Sequence, residues 1–131
     1  MKIIYSTKKG IAIIHPTGEL SIEEVAAKDV PANVSFRIVD DDEVPIDRTF
    51  RNAWKDDNGI KVDISRAKDI TKDRLRNERK PLLEAQDVAF QRALESGAST
   101  AAIVSEKQRL RDITKQVDAL ASLDELKALS L

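Results

Sequence analysis

Few residues in this chain of 131 amino acids are of the types that carry out catalysis or hold metal ions. His15 is the only histidine, and it stands before Pro16 at the end of a predicted strand. Cysteine is absent, which removes thiolate zinc sites, a cysteine nucleophile and a disulfide framework. A Ser-His-Asp arrangement or a histidine metal cluster would depend on one unsupported ring, so we predict a structural or surface role for His15.

The acidic residues do not form a recognisable catalytic or metal-binding pattern. The run Asp40–Glu43 lacks the alternating ligands, internal glycine and terminal glutamate of a calcium loop, so a solvated turn is the preferred interpretation. Elsewhere no pair of carboxylates lies in an apolar setting that would raise a pKa for acid–base chemistry. The glycines are isolated and build no phosphate-binding loop. We therefore predict a protein that is not an enzyme and uses no cofactor or metal.

One basic segment, Lys72–Lys80, holds five Lys or Arg side chains and could follow a nucleic-acid backbone. Asp73 and Glu78 interrupt it, and no aromatic residue is interleaved to stack on bases. With 22 basic and 23 acidic residues the net charge is -1, so no overall field attracts nucleic acid. A solvated helix face with ion pairs is the preferred interpretation, and a nucleic-acid-binding regulator using residues 72–80 is the alternative.

The composition predicts a folded chain with a thin core. Hydrophobic residues make up 41% and charged residues 34%, but there are only three Phe, one Trp and one Tyr. Ile, Val, Leu and Ala must build the core, and self-association would help it. Residues 1–9 lack the apolar core of a signal peptide, and no segment approaches about 20 apolar residues. We expect synthesis in a cytosol and no membrane partner.

The first 40 residues read as a small sheet with one helix. Apolar runs at 3–5 and 11–14 flank a turn with Gly10, which predicts a β-hairpin. Ser21 and Glu24 form a capping box before a helix at 22–28. The alternation in 34–39 predicts a strand that completes a three-stranded sheet and places Val34, Phe36 and Ile38 on one face.

The next segment introduces two aromatic residues. Asp47 is placed to cap a short helix in which Phe50 and Trp54, four residues apart, share a face. These two side chains could anchor a partner or lock the β-rich part to the helices that follow. A turn at Asp57–Gly59 leads into an extended stretch at residues 60–62.

The second half of the chain is predicted to be helical. No glycine occurs from 64 to 96, and Leu75 and Leu82 are seven residues apart, which predicts a long helix. Pro81 predicts a kink or break near residues 77–81, so the segment forms either one kinked helix or two helices. Gly97 ends the run, and Ser99 or Thr100 caps a second helix. A last short helix follows Ser122 and must dock on something to be stable.

These elements predict an α+β fold: a small β-rich head over residues 1–59, then a coiled-coil-like helical hairpin over 60–131. The heptad spacing predicts either intramolecular packing or an interface between chains. A Leu110→Asp replacement is expected to abolish any oligomer. The predicted interface residues are Phe50, Trp54, Leu75, Leu82, Ile103, Leu110, Ile113 and Val117.

Three segments of the chain resemble a known pattern: Asp47–Trp54, Arg76–Leu83 and Lys107–Thr114. They are similar to small proteins encoded beside the tail-fibre genes of tailed bacteriophages. The portion from about Arg76 to Thr114 resembles the phage tail assembly chaperone family, in which an Arg-rich helix runs into a double leucine and later a Leu-Arg-Asp-Ile element. Where that family carries an aspartate-tryptophan pair, Asp87 is followed by Val88 here.

The resemblance implies a bacteriophage tail protein that binds the tail-fibre or baseplate region, with no catalytic residue to transfer. Such a protein is either a virion component or a fibre-assembly factor that acts in the host cytoplasm, and homo-oligomerisation is expected. A hydrolase acting on host surface glycans is a further alternative, against which the missing acid pair argues.

Overall fold

The computed structural model describes all 131 residues and has an α+β fold, 55% helical and 16% strand. A small antiparallel sheet at the N-terminus precedes long helices, as the sequence predicts. The chain divides into two compact units, residues 1–67, here called the head, and residues 68–131, here called the helical unit.

The head contains a three-stranded antiparallel sheet with β1 (Lys2–Thr7) at its centre, between β2 (Gly10–Ile14) and β3 (Phe36–Val39). The loop between β1 and β2 is two residues long, and Thr7 pairs with Gly10. On the other side of β1, Ile4 pairs with Arg37. The predicted hairpin and third strand are therefore confirmed, although β3 begins two residues later than residue 34.

The side chains of β1 alternate between the two faces of this sheet, and an apolar cluster covers each face. On one face Ile3 packs with Val25 and Ala26 of helix α1 (Ile22–Asp29). The hydroxyl of Ser21 accepts a hydrogen bond from the Glu24 N–H at 3.2 Å, so the predicted cap is confirmed. On the other face a second cluster contains the buried side chains Ile4, Ile11, Val39 and Trp54.

Trp54 begins a second small sheet, formed by β4 (Trp54–Asp56) and β5 (Ile60–Val62). The prediction of a helix through 48–54 was wrong. Asp47 Oδ1 does accept a bond from the Thr49 N–H at 3.0 Å, but only a 3₁₀ turn, Arg51–Ala53, follows before the chain extends. The cause is tertiary: burial of the indole against the three-stranded sheet stabilises more than one helical turn would.

Three helices complete the chain: α2 (Ile64–Ser96), α3 (Ala101–Ala119) and α4 (Leu123–Ala128). Pro81 lies inside α2 without breaking it, so the segment 64–96 is one helix. Gly97 follows with φ +71°, and Ser99 Oγ accepts a bond from the Ala101 N–H at 3.3 Å. None of these helices combines the length and the apolar character that crossing a membrane requires.

Candidate protein-binding surface

The helical unit is held together at one end by a short apolar core. Leu75 of α2 is fully buried, as are Leu110 and Val117 of α3, and Ile113 is nearly so. On α3 these residues are spaced by three and four, which places them on one side of the helix. The apolar spacing read from the sequence thus corresponds to packing within a single chain.

Side-chain bonds between α2 and α3 show that the two helices run antiparallel. Lys72 Nζ lies 2.8 Å from Asp118 Oδ1, and further along α2 the guanidinium of Arg79 donates to the carbonyl oxygens of Leu110 and Arg111 at 3.2 and 2.9 Å. The order of the partners reverses along the two helices. This long helical hairpin is compatible with a coiled coil.

Helix α4 docks beside the same end of the hairpin. Leu126 is fully buried, and Arg74 Nη2 donates to the carbonyl oxygens of Leu126 and Leu129 at 3.3 and 2.7 Å. These carbonyls lie in the last turn of a helix, where no intrahelical N–H remains for some of them. The predicted cap is present as well, since Ser122 Oγ accepts from the Glu125 N–H at 3.2 Å.

Beyond this end the hairpin continues as two helices alone; we call residues 82–104 the distal arm. Its large apolar side chains are poorly covered: Leu82, Val88, Leu94 and Val104 are 44%, 51%, 56% and 51% exposed. Lys107 forms an ion pair with Asp87, and its Nζ lies 5.4 Å from the centroid of the Phe90 ring. The distal arm therefore presents apolar side chains to solvent on a frame of helical backbone.

The predicted interface residues separate into two groups. Leu75, Leu110, Ile113 and Val117 are buried inside the helical unit, Ile103 is half-buried, and Leu82 is exposed on the distal arm. Contact of any of them with another chain stays a prediction. Val88, Leu94 and Val104 were missed because they interrupt the heptad spacing, and exposure of an apolar residue in a helix cannot be read from spacing alone.

Phe50 and Trp54 are both buried, at 4% and 1% exposure. Trp54 lies in the head core against Ile4, Ile11 and Val39, and the guanidinium of Arg51 lies 4.6 Å from the centroid of its ring. A role of this pair at a junction or interface stays a prediction.

Most basic side chains of the segment 72–80 bond to groups within the helical unit. In addition to the bonds of Lys72 and Arg79, Arg74 bonds to Glu78 as well as to the α4 carbonyls, and Arg76 bonds to Asp73 at 3.0 Å. Lys80 is exposed. The segment is a helix face laced with ion pairs, which is the arrangement that the interrupted charge pattern favours.

The candidates for chemistry belong to the head. His15 is exposed, and no group of three or more His, Asp or Glu side chains is placed to hold a metal ion. In the acidic run, the side chain of Asp41 accepts bonds from the Met1 amino group and from Lys2, which lowers its pKa. Comparison of the chain with protein-family models, curated proteins and solved structures gives no match.

Proposed function

We propose that this protein is a non-enzymatic bacteriophage tail protein that binds another chain of the tail-fibre or baseplate region through its distal arm. The observation that carries the proposal is the concentration of four large exposed apolar side chains on an arm of only two helices. Exposed apolar area costs about 25 cal/mol per Å² in water until a partner covers it. A partner that packs against the arm would remove part of that cost.

The tail context rests on the resemblance of the chain to phage tail assembly chaperones. Two of the segments that carry it, Arg76–Leu83 and Lys107–Thr114, are antiparallel neighbours, because Arg79 of the first bonds to the carbonyls of Leu110 and Arg111 in the second. Together they form the stem from which the distal arm extends. The alternative of a nucleic-acid-binding regulator has weaker support, since four of the five basic side chains in 72–80 already bond within the helical unit.

The proposal is tested by asking which chains the distal arm meets during infection. A photo-crosslinking amino acid is placed at Leu94, on the arm, and as a matched control at Asp69, an exposed position near the start of α2. Mass spectrometry of crosslinked products is combined with an inventory of purified virions. The expected result is a crosslink from position 94, and none from position 69, to a fibre or baseplate protein.

The virion inventory separates the two forms of the proposal. Several copies of the chain in virions would make it a structural component, whereas a crosslink to fibre protein without retention would make it an assembly factor. Absence from virions together with no crosslink to any tail protein would refute the proposal.

A further inference from the structure

The three-stranded sheet of the head has two edge strands, β2 and β3, whose outer sides differ in hydrogen bonding. The outer side of β2 is partly occupied, because Arg51 Nη2 donates to the carbonyl oxygen of Ile11 at 2.6 Å. No hydrogen bond from another part of the chain reaches the outer side of β3.

The strand register identifies which backbone groups of β3 are free. Thr7 and Gly10 close a two-residue loop and must exchange hydrogen bonds, so Ile3, Tyr5 and Thr7 direct their backbone groups toward β2. Lys2 and Ile4 then face β3 and bond to Val39 and Arg37. Phe36 and Ile38, the alternate residues, direct their N–H and C=O groups away from the sheet, where no group of the chain bonds to them.

Two further features lie at the ends of this edge. At the N-terminal end of β3 is a cavity of about 360 Å³, whose lining includes Ser6, Phe36 and the Arg37–Asp56 ion pair, and the Phe36 side chain is 44% exposed. At the C-terminal end stands the acidic run, in which Asp40 and Asp42 are exposed and form no ion pair. An exposed aromatic side chain, unpaired backbone groups and carboxylates without an ion-pair partner thus follow one another along the edge.

We infer that the free edge of β3 is a docking site for an extended segment of another polypeptide, which adds to the sheet as an antiparallel strand. Its backbone pairs with Phe36 and Ile38, an apolar side chain packs against the exposed Phe36 ring, and basic residues at its N-terminal end face the acidic run 40–43. The inference goes beyond the proposed function, since it concerns the head alone and does not depend on a tail partner.

A second copy of this chain fits the edge less well. Pairing Phe36 with Ile38 of the second copy sets Arg37 opposite the same residue, and pairing Ile38 with itself sets Phe36 opposite Asp40. Pairing Phe36 with itself would need Val34 in the strand, but the Val34 N–H bonds to the Pro31 carbonyl in a turn. A different chain with an uncharged strand and a basic end avoids all three conflicts.

The test uses the full-length protein, labelled with ¹⁵N, and a capped peptide in which a pair of lysines is followed by alternating valine and threonine. At about 1 mM peptide we expect chemical-shift changes confined to residues 34–43. Amide exchange at Phe36 and Ile38, fast in the free protein, slows at least tenfold, whereas that at Arg37 and Val39 is slow throughout. A peptide methylated on alternate backbone nitrogens is the matched control and produces neither effect.

An Ile38→Pro variant removes one outward N–H without touching the bonds to β1, and we expect it to lose peptide binding while Ile38→Val retains it. If the proline variant does not fold, the methylated peptide alone decides. Shifts away from β3, equal binding of both peptides, or no binding would overturn the inference. So would slowed exchange at Phe36 and Ile38 that depends on protein concentration without peptide, because a second copy would then be the occupant.

Discussion

At the scale of single residues, the best-defined electrostatic contact in the head is the bidentate pair of Arg37 and Asp56. Arg37 Nε and Nη2 donate to the two carboxylate oxygens at 2.7 and 2.6 Å, which joins β3 to the end of β4. The hydrogen bonds from Arg37 hold the pKa of the Asp56 carboxyl below its ordinary value, with a smaller contribution from the Gly59 N–H. Charge and geometry together fix the position of Arg37 beside the free edge of β3.

This pair makes the stability of the head depend on pH. A carboxyl whose pKa is depressed by folding stabilises the fold above its unfolded pKa, and that contribution is lost as pH falls through the folded pKa. We expect Arg37→Gln to return the Asp56 pKa toward 3.8 and to flatten the loss of stability on acidification. Carbon-13 NMR titration of Asp56, with urea unfolding at about pH 7 and about pH 3, measures both effects.

Lys61→Gln is the control for that experiment, because Lys61 pairs with Asp57 at 3.6 Å with both side chains more than half exposed. It should leave the pH profile unchanged. An Asp56 pKa that stays put in the Arg37 variant would show that the pair does not persist in solution.

A second residue with a defined task is Arg74, which supplies hydrogen bonds to the last turn of α4. Replacement by methionine keeps the apolar stem and removes these donors, so we expect the free energy of unfolding to fall by about 1–2 kcal/mol. Amide exchange in residues 123–128 should accelerate first. Arg76→Met, which loses only an exposed bond to Asp73, is the control, and an equal effect of both replacements would contradict this role of Arg74.

At the scale of elements, helix α2 contains a proline, Pro81, in its interior. Pro81 has no N–H, so the Asn77 carbonyl loses its intrahelical donor, a loss that costs about 3 kcal/mol in an ordinary helix interior. Both residues are exposed, which lets water replace the missing donor. The predicted break is therefore absent, and the helix continues through residue 81.

We expect Pro81→Ala to raise the free energy of unfolding by about 1–3 kcal/mol, because it restores one backbone bond and relieves the ring clash in the preceding turn. Urea unfolding followed by circular dichroism measures the change. Lys80→Ala, at the neighbouring exposed position, is the control and should change stability by less than about 0.5 kcal/mol. A destabilised alanine variant would mean that the proline fits a bend that the hairpin requires.

The elements that could be predicted from sequence are those with local signals. Ser21 and Ser122 mark helix starts through their own side chains, and the alternation around Ile38 marks a strand. β4 could not be predicted in the same way, since three residues are too few for a period and its cause is the burial of Trp54 in a distant cluster. The free edge of β3 could not be predicted either, because the spacing of residues along the chain does not show which strands pair with each other.

At the scale of the whole molecule, apolar residues of the helices have different surroundings in different parts of the helical unit. Around Leu75, Leu110 and Val117 three helices meet, and the apolar side chains are buried. In the distal arm only two helices are present, so Leu82 and Leu94 of the same helix remain exposed. Sequence spacing could therefore identify the helices but not which part of them is left for a partner.

Some of the predicted interface residues are buried inside the helical unit and others are exposed, so a substitution tests an interface only at an exposed position. Leu110→Asp would place a charge in the core of the helical unit and unfold it, so loss of assembly in that variant would not identify an interface. The informative change is Leu82→Ser, Val88→Ser and Val104→Ser combined, which leaves position 94 free for the crosslinking amino acid. Each side chain is about half exposed, so each replacement should alter stability by less than about 1 kcal/mol. Leu110→Ala, expected to cost about 2–5 kcal/mol, provides the contrasting buried change.

If the distal arm binds another chain, the combined serine variant keeps its circular dichroism spectrum and stays folded but loses its partner. Light scattering should then give a lower mass wherever the wild-type chain self-associates, and the crosslinks from the arm to tail proteins should disappear. Leu110→Ala should show the opposite pattern, with lowered stability and retained contacts at temperatures where it is folded. Unchanged mass and unchanged crosslinks in the serine variant would show that these exposed apolar side chains do not hold the partner.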